Sequence, residues 1–536
     1  MKALFLGLMM ACGFTVHADP FDYMVFQWTA SDGLSLYSLQ EVNLPAPKSK
    51  PQTVKSSDYV AVENHFGEVI QFIDLKRLKV QRSEHHGFNH IADSSFEQDQ
   101  LTFVVRTPKG QAQQLRLNLR DQPIEHLYAI NEMTSGIVAK KTGSKKSQGS
   151  IDNRINLLFM GDGYLINQTN TFDQHADAVM SYMHSFEPYA SYGHFISFDR
   201  LFLESAQQGA DHPTSPCGGV TDPQAPLFVN TRFDATYCTS GIHRLLTVNS
   251  SKIYTDAALS PNWDEIVVLV NDGTYGGSGG GFSTISAHAL ATDVFIHEFG
   301  HSFTDLADEY DSAYPGFPTC SDINGPDCEA NVTDVTSRNN LKWNYFVSQS
   351  TPVPTPDTQQ YSQVTGLFEG ARYFAAGMYR PVSACNMRYL GSPFCPVCQQ
   401  AFVQKVFQVP YGSGNALLNL IEPGSAVPVN NQASVMMGDV LNLSVDSLQP
   451  THDLSFTWEV AGGVVSSYDS NLVTQDFDFV PTQNQVNTTV TVKVTVKDLS
   501  PLVHSSIQPQ LPVFEHTWQV DVMPFTDLIF KHGFDN

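Results

Sequence analysis

Three kinds of hydrophobic patterning succeed one another along the chain. From residue 19 to about 137, apolar and polar residues alternate in short runs such as Leu115-Arg116-Leu117-Asn118-Leu119, with no long amphipathic helix. Alternation with period two sets one side of each segment against a core, which predicts a β-rich region. The stretch Lys140 to Ser150 is polar, basic and structure-poor, and reads as a linker. After it the pattern changes. Ile155 to Met160 is a continuous apolar run ending at Gly161-Asp162-Gly163-Tyr164, followed by a helical stretch from about Thr171 to Phe186 and a second strand from Phe195 to Leu203. Strand, helix and strand in that order predict an α/β unit built on a sheet, with residues 264–270 as a further strand. From about residue 411 short β segments return, among them Leu454 to Val460 and Thr488 to Val496, and Trp458 is placed as the core anchor of an immunoglobulin-like sandwich.

Composition narrows the class. A chain of 536 residues, 42% hydrophobic and 16% charged, is long enough for two or three folded domains and is not disordered. Its formal charge of -24 argues against nucleic acid or anionic membrane as partners. Met1-Lys2, the apolar run Ala3 to Val16 and the small-x-small site at Ala18 read as an export signal, which predicts a secreted or periplasmic protein. Cys12 after Met10-Ala11 offers lipoprotein anchoring as a minor alternative. No later segment qualifies as a membrane span.

Removal of residues 1–18 leaves Cys217, Cys238, Cys320, Cys328, Cys385, Cys395 and Cys398, all in one part of the chain. In an oxidising compartment that part is stapled, with Cys217–Cys238 and Cys320–Cys328 as the local pairs. The last three cannot all pair with one another, so one thiol is free or the pairing differs; a zinc site made of four cysteines is the rival reading, against which the spacing and the export signal both count. His85, His86 and His90 read as a solvated loop, because no carboxylate or cysteine pattern accompanies them.

The chemistry gathers at His297-Glu298-Phe299-Gly300-His301, which follows a helix-compatible run from Ala287 to Phe295. Histidines four apart share one helix face and can bind one zinc ion, and Glu298 beside them is placed to take a proton from water. Leu306-Ala307-Asp308-Glu309 brings carboxylates just past the helix, where a third ligand can return to the metal. The glycine-rich run 271–282 ahead of the helix reads equally as a site for close backbone approach or as a flexible connector.

Further on, Cys385-Asn386-Met387-Arg388-Tyr389 resembles the Met-turn of metzincin peptidases. Together, Gly-Asp-Gly-Tyr, His-Glu-Phe-Gly-His-Ser-Phe and Phe394-Cys395-Pro396-Val397-Cys398 resemble the IgA-specific metallopeptidase family, the igalysins, over roughly residues 150 to 410. The resemblance implies a secreted zinc endopeptidase. It makes His297 and His301 zinc ligands, Asp308 the third ligand with Glu309 as competitor, Glu298 the general base, Met387 the Met-turn residue and Tyr389 the oxyanion stabiliser. One catalytic Zn2+ is implied, with a structural Ca2+ as an additional expectation. Thr304 stands where the metzincin pattern has glycine, and Asp305 after it tolerates a left-handed turn.

The expected organisation is an export signal (1–18), an N-terminal β-rich domain (19–137), a linker (138–153), an α/β (α+β) metzincin-like zinc peptidase domain (154–410), an Ig-like β-sandwich (411–524) and a tail (525–536). The N-terminal domain reads either as a permanent module or as an inhibitory pro-segment cut at the linker. Expected partners are protein or peptide substrates, including immunoglobulin-like ones, for a monomeric enzyme. The alternatives are a zinc hydrolase of another clan and a non-catalytic secreted adhesin with a structural zinc site.

Overall fold

The computed structural model describes residues 19–44, 58–75, 78, 80–83, 94–97, 100–119, 126–133, 144–147, 153–313, 317, 320, 328–409 and 416–525. The export signal with Cys12, the histidines His85, His86 and His90, and the tail beyond Phe525 lie outside the described residues. Within them the chain is mostly sheet with few helices, an α+β arrangement.

The N-terminal strands are β1 (Asp19–Thr29), β2 (Gly33–Leu44), β3 (Tyr59–Glu63), β4 (Val69–Asp74), β5 (Val80–Ser83), β6 (Ser94–Glu97), β7 (Gln100–Pro108), β8 (Gln114–Asn118) and β9 (His126–Ala129). They form antiparallel sheets in the orders β2-β1-β7 and β4-β3-β8-β9, and a β5-β6 pair. Alternation does what it predicts: Met24, Phe26 and Phe103 from the first sheet meet Val60, Val62, Leu115 and Leu117 from the second in one core. The other face of β1 is buried too. Phe21, Tyr23 and Val25 pack on the central sheet.

That sheet contains β10 (Ser144–Ser147), β11 (Ile155–Asp162), β12 (Ile196–Phe202), β13 (Glu265–Val270), β14 (Gly277–Ser278) and β15 (Ser283–Ser286), in the order β10-β12-β11-β13-β15-β14. The four inner strands are parallel, and the two edge strands run antiparallel to their neighbours. Continuous apolar runs are what a sheet covered on both faces requires. Leu157, Phe159, Val267 and Leu269 face helices α1 (Thr169–His184) and α3 (Ala291–Ser302). Leu158, Met160, Ile266 and Val268 face β1 and helix α2 (Ser250–Ala257).

Two expectations change here. Residues 144–147 of the expected linker form β10, pairing Ser144 with Phe202 through Ser147 with Asp199. The free amides and carbonyls along the outer edge of β12 supply the driving force, since an uncovered edge leaves a row of backbone groups to satisfy. The N-terminal region, moreover, is a wall of the central core. Tyr23 Oη donates to the Tyr254 carbonyl at 2.8 Å. The Arg106 guanidinium donates to the carbonyls of Pro261 and Trp263 at 2.7 and 2.8 Å and lies 4.4 Å above the Trp263 ring.

Past α3, a hairpin of β16 (Phe368–Ala371) and β17 (Phe374–Arg380) leads to helix α4 (Pro396–Val406). The C-terminal strands are β18 (Gln432–Met436), β19 (Leu441–Asp446), β20 (Leu454–Val460), β21 (Gly463–Ser470), β22 (Thr474–Phe479), β23 (Thr489–Asp498) and β24 (Val513–Met523). They form a five-stranded sheet, β18-β24-β23-β20-β21, and a β19-β22 pair. Trp458 is sealed in the core they share, with ring centroids 5.0 Å from Phe477 and 5.8 Å from Trp518. Cys217–Cys238 and Cys320–Cys328 are disulfides, which fit an extracellular protein. Among the described residues no helix is long and apolar enough to cross a membrane.

Candidate metal centre

Helix α3 carries His297, Glu298 and His301 on its buried length, against β15 and α1. Asp293 in its first turn complements the positive end of the helix dipole. His297 Nδ1 lies 3.0 Å from the Asn386 carbonyl and His301 Nδ1 lies 2.7 Å from the Leu306 carbonyl. A carbonyl can only accept, so each Nδ1 carries the proton and each Nε2 turns a lone pair to the same point. The two Nε2 atoms stand 3.0 Å apart.

The chain reverses after α3 to supply a carboxylate. Asp305 adopts φ 60°, the left-handed conformation expected of it in place of glycine. The Asp305 and Leu306 amides close the helix end on the carbonyls of His301 and Gly300, both at 3.1 Å. Asp308 Oδ1 then lies 3.1 Å from His297 Nε2 and 3.0 Å from His301 Nε2. Its other oxygen accepts from Tyr373 Oη at 2.8 Å. Asn331 grips Ala307 through both its amide and its carbonyl, each at 2.9 Å, and so fixes the approach of Asp308.

The donor set fits a metal ion. Tetrahedral nitrogen and oxygen ligands about 2.0–2.1 Å from one ion stand roughly 3.3 Å apart, close to the 3.0–3.1 Å seen among these three atoms. All three residues are buried, a costly setting for polar atoms brought together without a cation.

Glycines bring two further groups close. A Cβ on Gly279 would overlap the Glu298 carboxylate, so the glycine-rich run closes directly over Glu298. It is packed rather than a loose connector: a side chain at Gly276 would meet Tyr237, and one at Gly281 would meet Leu78 and Tyr254. On the other side of α3, a Cβ on Gly300 would stand 2.9 Å from Met387 Sδ. The glycine within His-Glu-Phe-Gly-His therefore lets Met387 seat beneath the histidines.

A second cluster adjoins the first. Glu309, Cys385, Cys395 and Cys398 are all buried, with one ligand atom from each within 4.8 Å of the others. The three thiols are not disulfide-bonded. Burial, then the neighbouring Cys385, pushes the Glu309 carboxyl well above its ordinary range. Burial works against a thiolate at Cys395 as well, yet hydrogen bonds with Cys385 and Cys398 bring that thiol down to about 6. Among the described residues these two clusters are the groups of three or more His, Cys, Asp or Glu that could hold a metal. Neither has the all-oxygen ligand set that Ca2+ takes.

Gly161-Asp162-Gly163-Tyr164 proves architectural. Buried Asp162 accepts from the amides of Phe233 and Ala235 at 2.9 and 3.0 Å, and from the hydroxyls of Thr231 and Ser205 at 2.9 and 3.1 Å. It thereby pins the long loop that precedes α2. The same loop docks through His212, held between Asp222 (2.7 Å) and Asp272 (3.2 Å).

Of the residues expected at the site, His297, His301 and Asp308 come together, and Glu298 lies on the same helix with its carboxylate against Gly279. Met387 lies under the helix and Glu309 points into the cysteine cluster. Tyr389 is half-buried in the same turn, its amide bonded to the Cys385 carbonyl at 2.9 Å and the Arg388 guanidinium 4.9 Å over its ring. Tyr373 and Asn331 had no sequence signal. They reach Asp308 and Ala307 from a hairpin turn and a loop whose residues form no pattern along the chain.

Comparison with known proteins bears on the same segment. No curated protein matches the chain. Among solved structures, a Bacteroides uniformis β-glucuronidase aligns with 95% of the chain at 8% identity and a TM-score of 0.15. A B. uniformis β-glucuronidase 2 bound to a cyclophellitol aziridine aligns with 95% at 9% identity and a TM-score of 0.16. The chain spans 58% of the length of each, and scores that low carry no structural or functional weight. The family model for IgA peptidase M64 matches residues 145–361 and 357–406, the segment that holds both clusters and the strands that frame them. Through that segment the chain belongs to the IgA peptidase M64 family of metallopeptidases.

Proposed function

We propose that the chain is a secreted zinc-dependent endopeptidase that hydrolyses peptide bonds of extracellular proteins, with a metzincin-like catalytic domain over residues 154–410. The observation that carries this reading is the convergence of His297 Nε2, His301 Nε2 and Asp308 Oδ1 within 3.0–3.1 Å, with Glu298 on the same helix. Two imidazoles and a carboxylate would hold the ion, a donor set that suits zinc and leaves a position open. Bound there, zinc supplies an acidified water and polarises the scissile carbonyl.

This chain's residues do the remainder. Glu298 takes the proton of the attacking water and returns it to the leaving amine. Gly279 lacks the Cβ that would overlap this carboxylate, and so leaves the space that Glu298 occupies. Tyr373 occupies the second oxygen of Asp308, so that Oδ1 faces the histidines. Tyr389, two residues beyond Met387, donates its hydroxyl to the developing oxyanion. Residues 19–137 and 411–524 are flanking domains, and residues 1–18 are the export signal, a reading supported by the two disulfides. Immunoglobulin-like substrates are supported by the family description alone.

The test is digestion of casein and of immunoglobulin A by the full-length secreted chain, with and without a chelator, beside Glu298→Ala. Chelation and Glu298→Ala should each abolish cleavage, and the variant should retain its zinc. Proteolysis that survives both treatments would overturn the reading.

A further inference from the structure

We propose that Cys385, Cys395, Cys398 and Glu309 form a second, structural zinc site next to the histidine centre. The spacing of the thiols is the first argument. Cys385 and Cys398 Sγ are 3.7 Å apart, Cys395 and Cys398 Sγ are 3.4 Å apart, and Glu309 Oε1 lies 3.8 Å from Cys398 Sγ. Thiolates about 2.3 Å from one tetrahedral ion stand roughly 3.8 Å from each other, whereas bridging iron–sulfur clusters hold their cysteines much farther apart. Soft thiolates with one carboxylate select zinc over the hard cations that oxygen ligands prefer.

The fourth member supplies the independent argument. Glu309 is fully buried, and its Oε2 has no hydrogen-bond partner among the described residues. Asn331 Nδ2 donates to Oε1 at 2.9 Å, which leaves the carboxylate half satisfied and directed at the thiols. A buried carboxylate with an unmet oxygen is costly, and a cation among the sulfurs removes the cost.

The backbone is arranged for thiolates as well. The Cys395 amide donates to Cys385 Sγ at 3.3 Å, and the Cys398 amide donates to Cys395 Sγ at 3.4 Å. Cys395 is the N-cap of α4, so the positive end of that helix faces its sulfur, and Pro396 starts the helix without an amide to spare. A disulfide would use two of these sulfurs and leave the third thiol and Glu309 without a role. A single divalent ion uses all four.

The test uses the full-length chain, purified without reductant and with zinc in the medium. Elemental analysis and native mass spectrometry should find two zinc ions per chain, and Cys385, Cys395 and Cys398 should become alkylatable together, only after denaturation with a chelator. The His297→Ala/His301→Ala double variant should keep one ion. With cobalt in place of zinc, that variant should still show a thiolate-to-cobalt charge-transfer band. A wild-type ion count that falls to none in the double variant, or a disulfide among the three cysteines by peptide mapping, overturns the proposal, whereas a single ion that survives in the double variant counts against the histidine centre instead. These readouts are independent of peptidase activity, and the measurements on the wild-type chain and the double variant decide the matter even where a cysteine variant does not fold.

Discussion

Asp308 and Glu309 are neighbours in sequence and serve different clusters. Asp308 Oδ1 lies 3.1 and 3.0 Å from the Nε2 atoms of His297 and His301, whereas Glu309 Oε1 lies 3.8 Å from Cys398 Sγ. Successive side chains leave a non-helical backbone in different directions, so one step of chain separates two chemistries. The turn at Met387 braces both: the Asn386 carbonyl orients His297, and the Met387 carbonyl accepts the Glu309 amide at 2.7 Å.

This separation gives a clean pair of variants. Asp308→Ala should lose the ion held by the histidines and all peptidase activity. Glu309→Gln should keep that ion, and its losses should fall on thermal stability and on the second metal. Zinc counting on the two purified variants checks it, and an Asp308→Ala chain with wild-type zinc content would contradict the ligand assignment.

Gly279 is predicted to matter through Glu298. An added methyl must displace the carboxylate, while Gly279 itself needs no positive φ. Gly279→Ala should lower kcat by about tenfold or more, since small misplacements of a reacting group are costly. Metal content should stay intact. Steady-state kinetics beside zinc analysis separates this outcome from a folding defect.

The docking of the loop before α2 should depend on pH through His212. Burial disfavours the imidazolium, but hydrogen bonds to Asp272 and Asp222 outweigh it and hold the pKa above the ordinary 6.5. A raised pKa in the folded state means that this contribution is fully present below pH 6.5 and is lost as pH rises through the folded value. The same contacts lower the pKa of Asp222 and Asp272 in spite of burial, so their share is lost as pH falls below the ordinary carboxylate range. Hydrogen exchange over residues 205–247 should slow as pH drops towards 6, after correction for intrinsic rates. His212→Gln should flatten that dependence.

A cut in the basic stretch 140–150 should not release the N-terminal region. β1 shares a core with β11 and β13, and Arg106 is bonded across the junction. The nicked chain should elute from gel filtration as one particle and come apart only in denaturant. Separation in plain buffer would mark the region as a detachable pro-segment.

The ease of reading this chain tracks how local each signal is. Strands β11 and β13 of the central sheet showed as uninterrupted apolar runs, whereas β14 and β15 carry too little apolar pattern to show, and His297, Glu298 and His301 showed as a spacing on one helix. Asp305 was legible because one residue must turn left-handed there. Asp308 was preferred as third ligand but Glu309 stayed in competition with it, because their directions are set by Asn331 and Tyr373, which arrive from 22 or more residues away. β10 was read as a linker because Ser144 to Ser147 has no apolar alternation and owes its strand to the edge of β12. The cysteines read as disulfide partners, with a four-cysteine zinc site as the disfavoured rival, because nothing along the chain brings Glu309 to Cys385, Cys395 and Cys398.

The two buried faces of β1 also bear on the order in which the protein is made. By the time residue 108 has been synthesised, β1, β2 and β7 can pair, and Met24 and Phe26 have strands β3 and β8 within reach of completion soon after. The face bearing Phe21, Tyr23 and Val25 must wait for β11 and, more than 150 residues after β7, for β13. During that interval an apolar stripe stands open on a nascent chain, where chaperones bind and sheets aggregate. The strand that later closes the central core is the first part of it to be exposed.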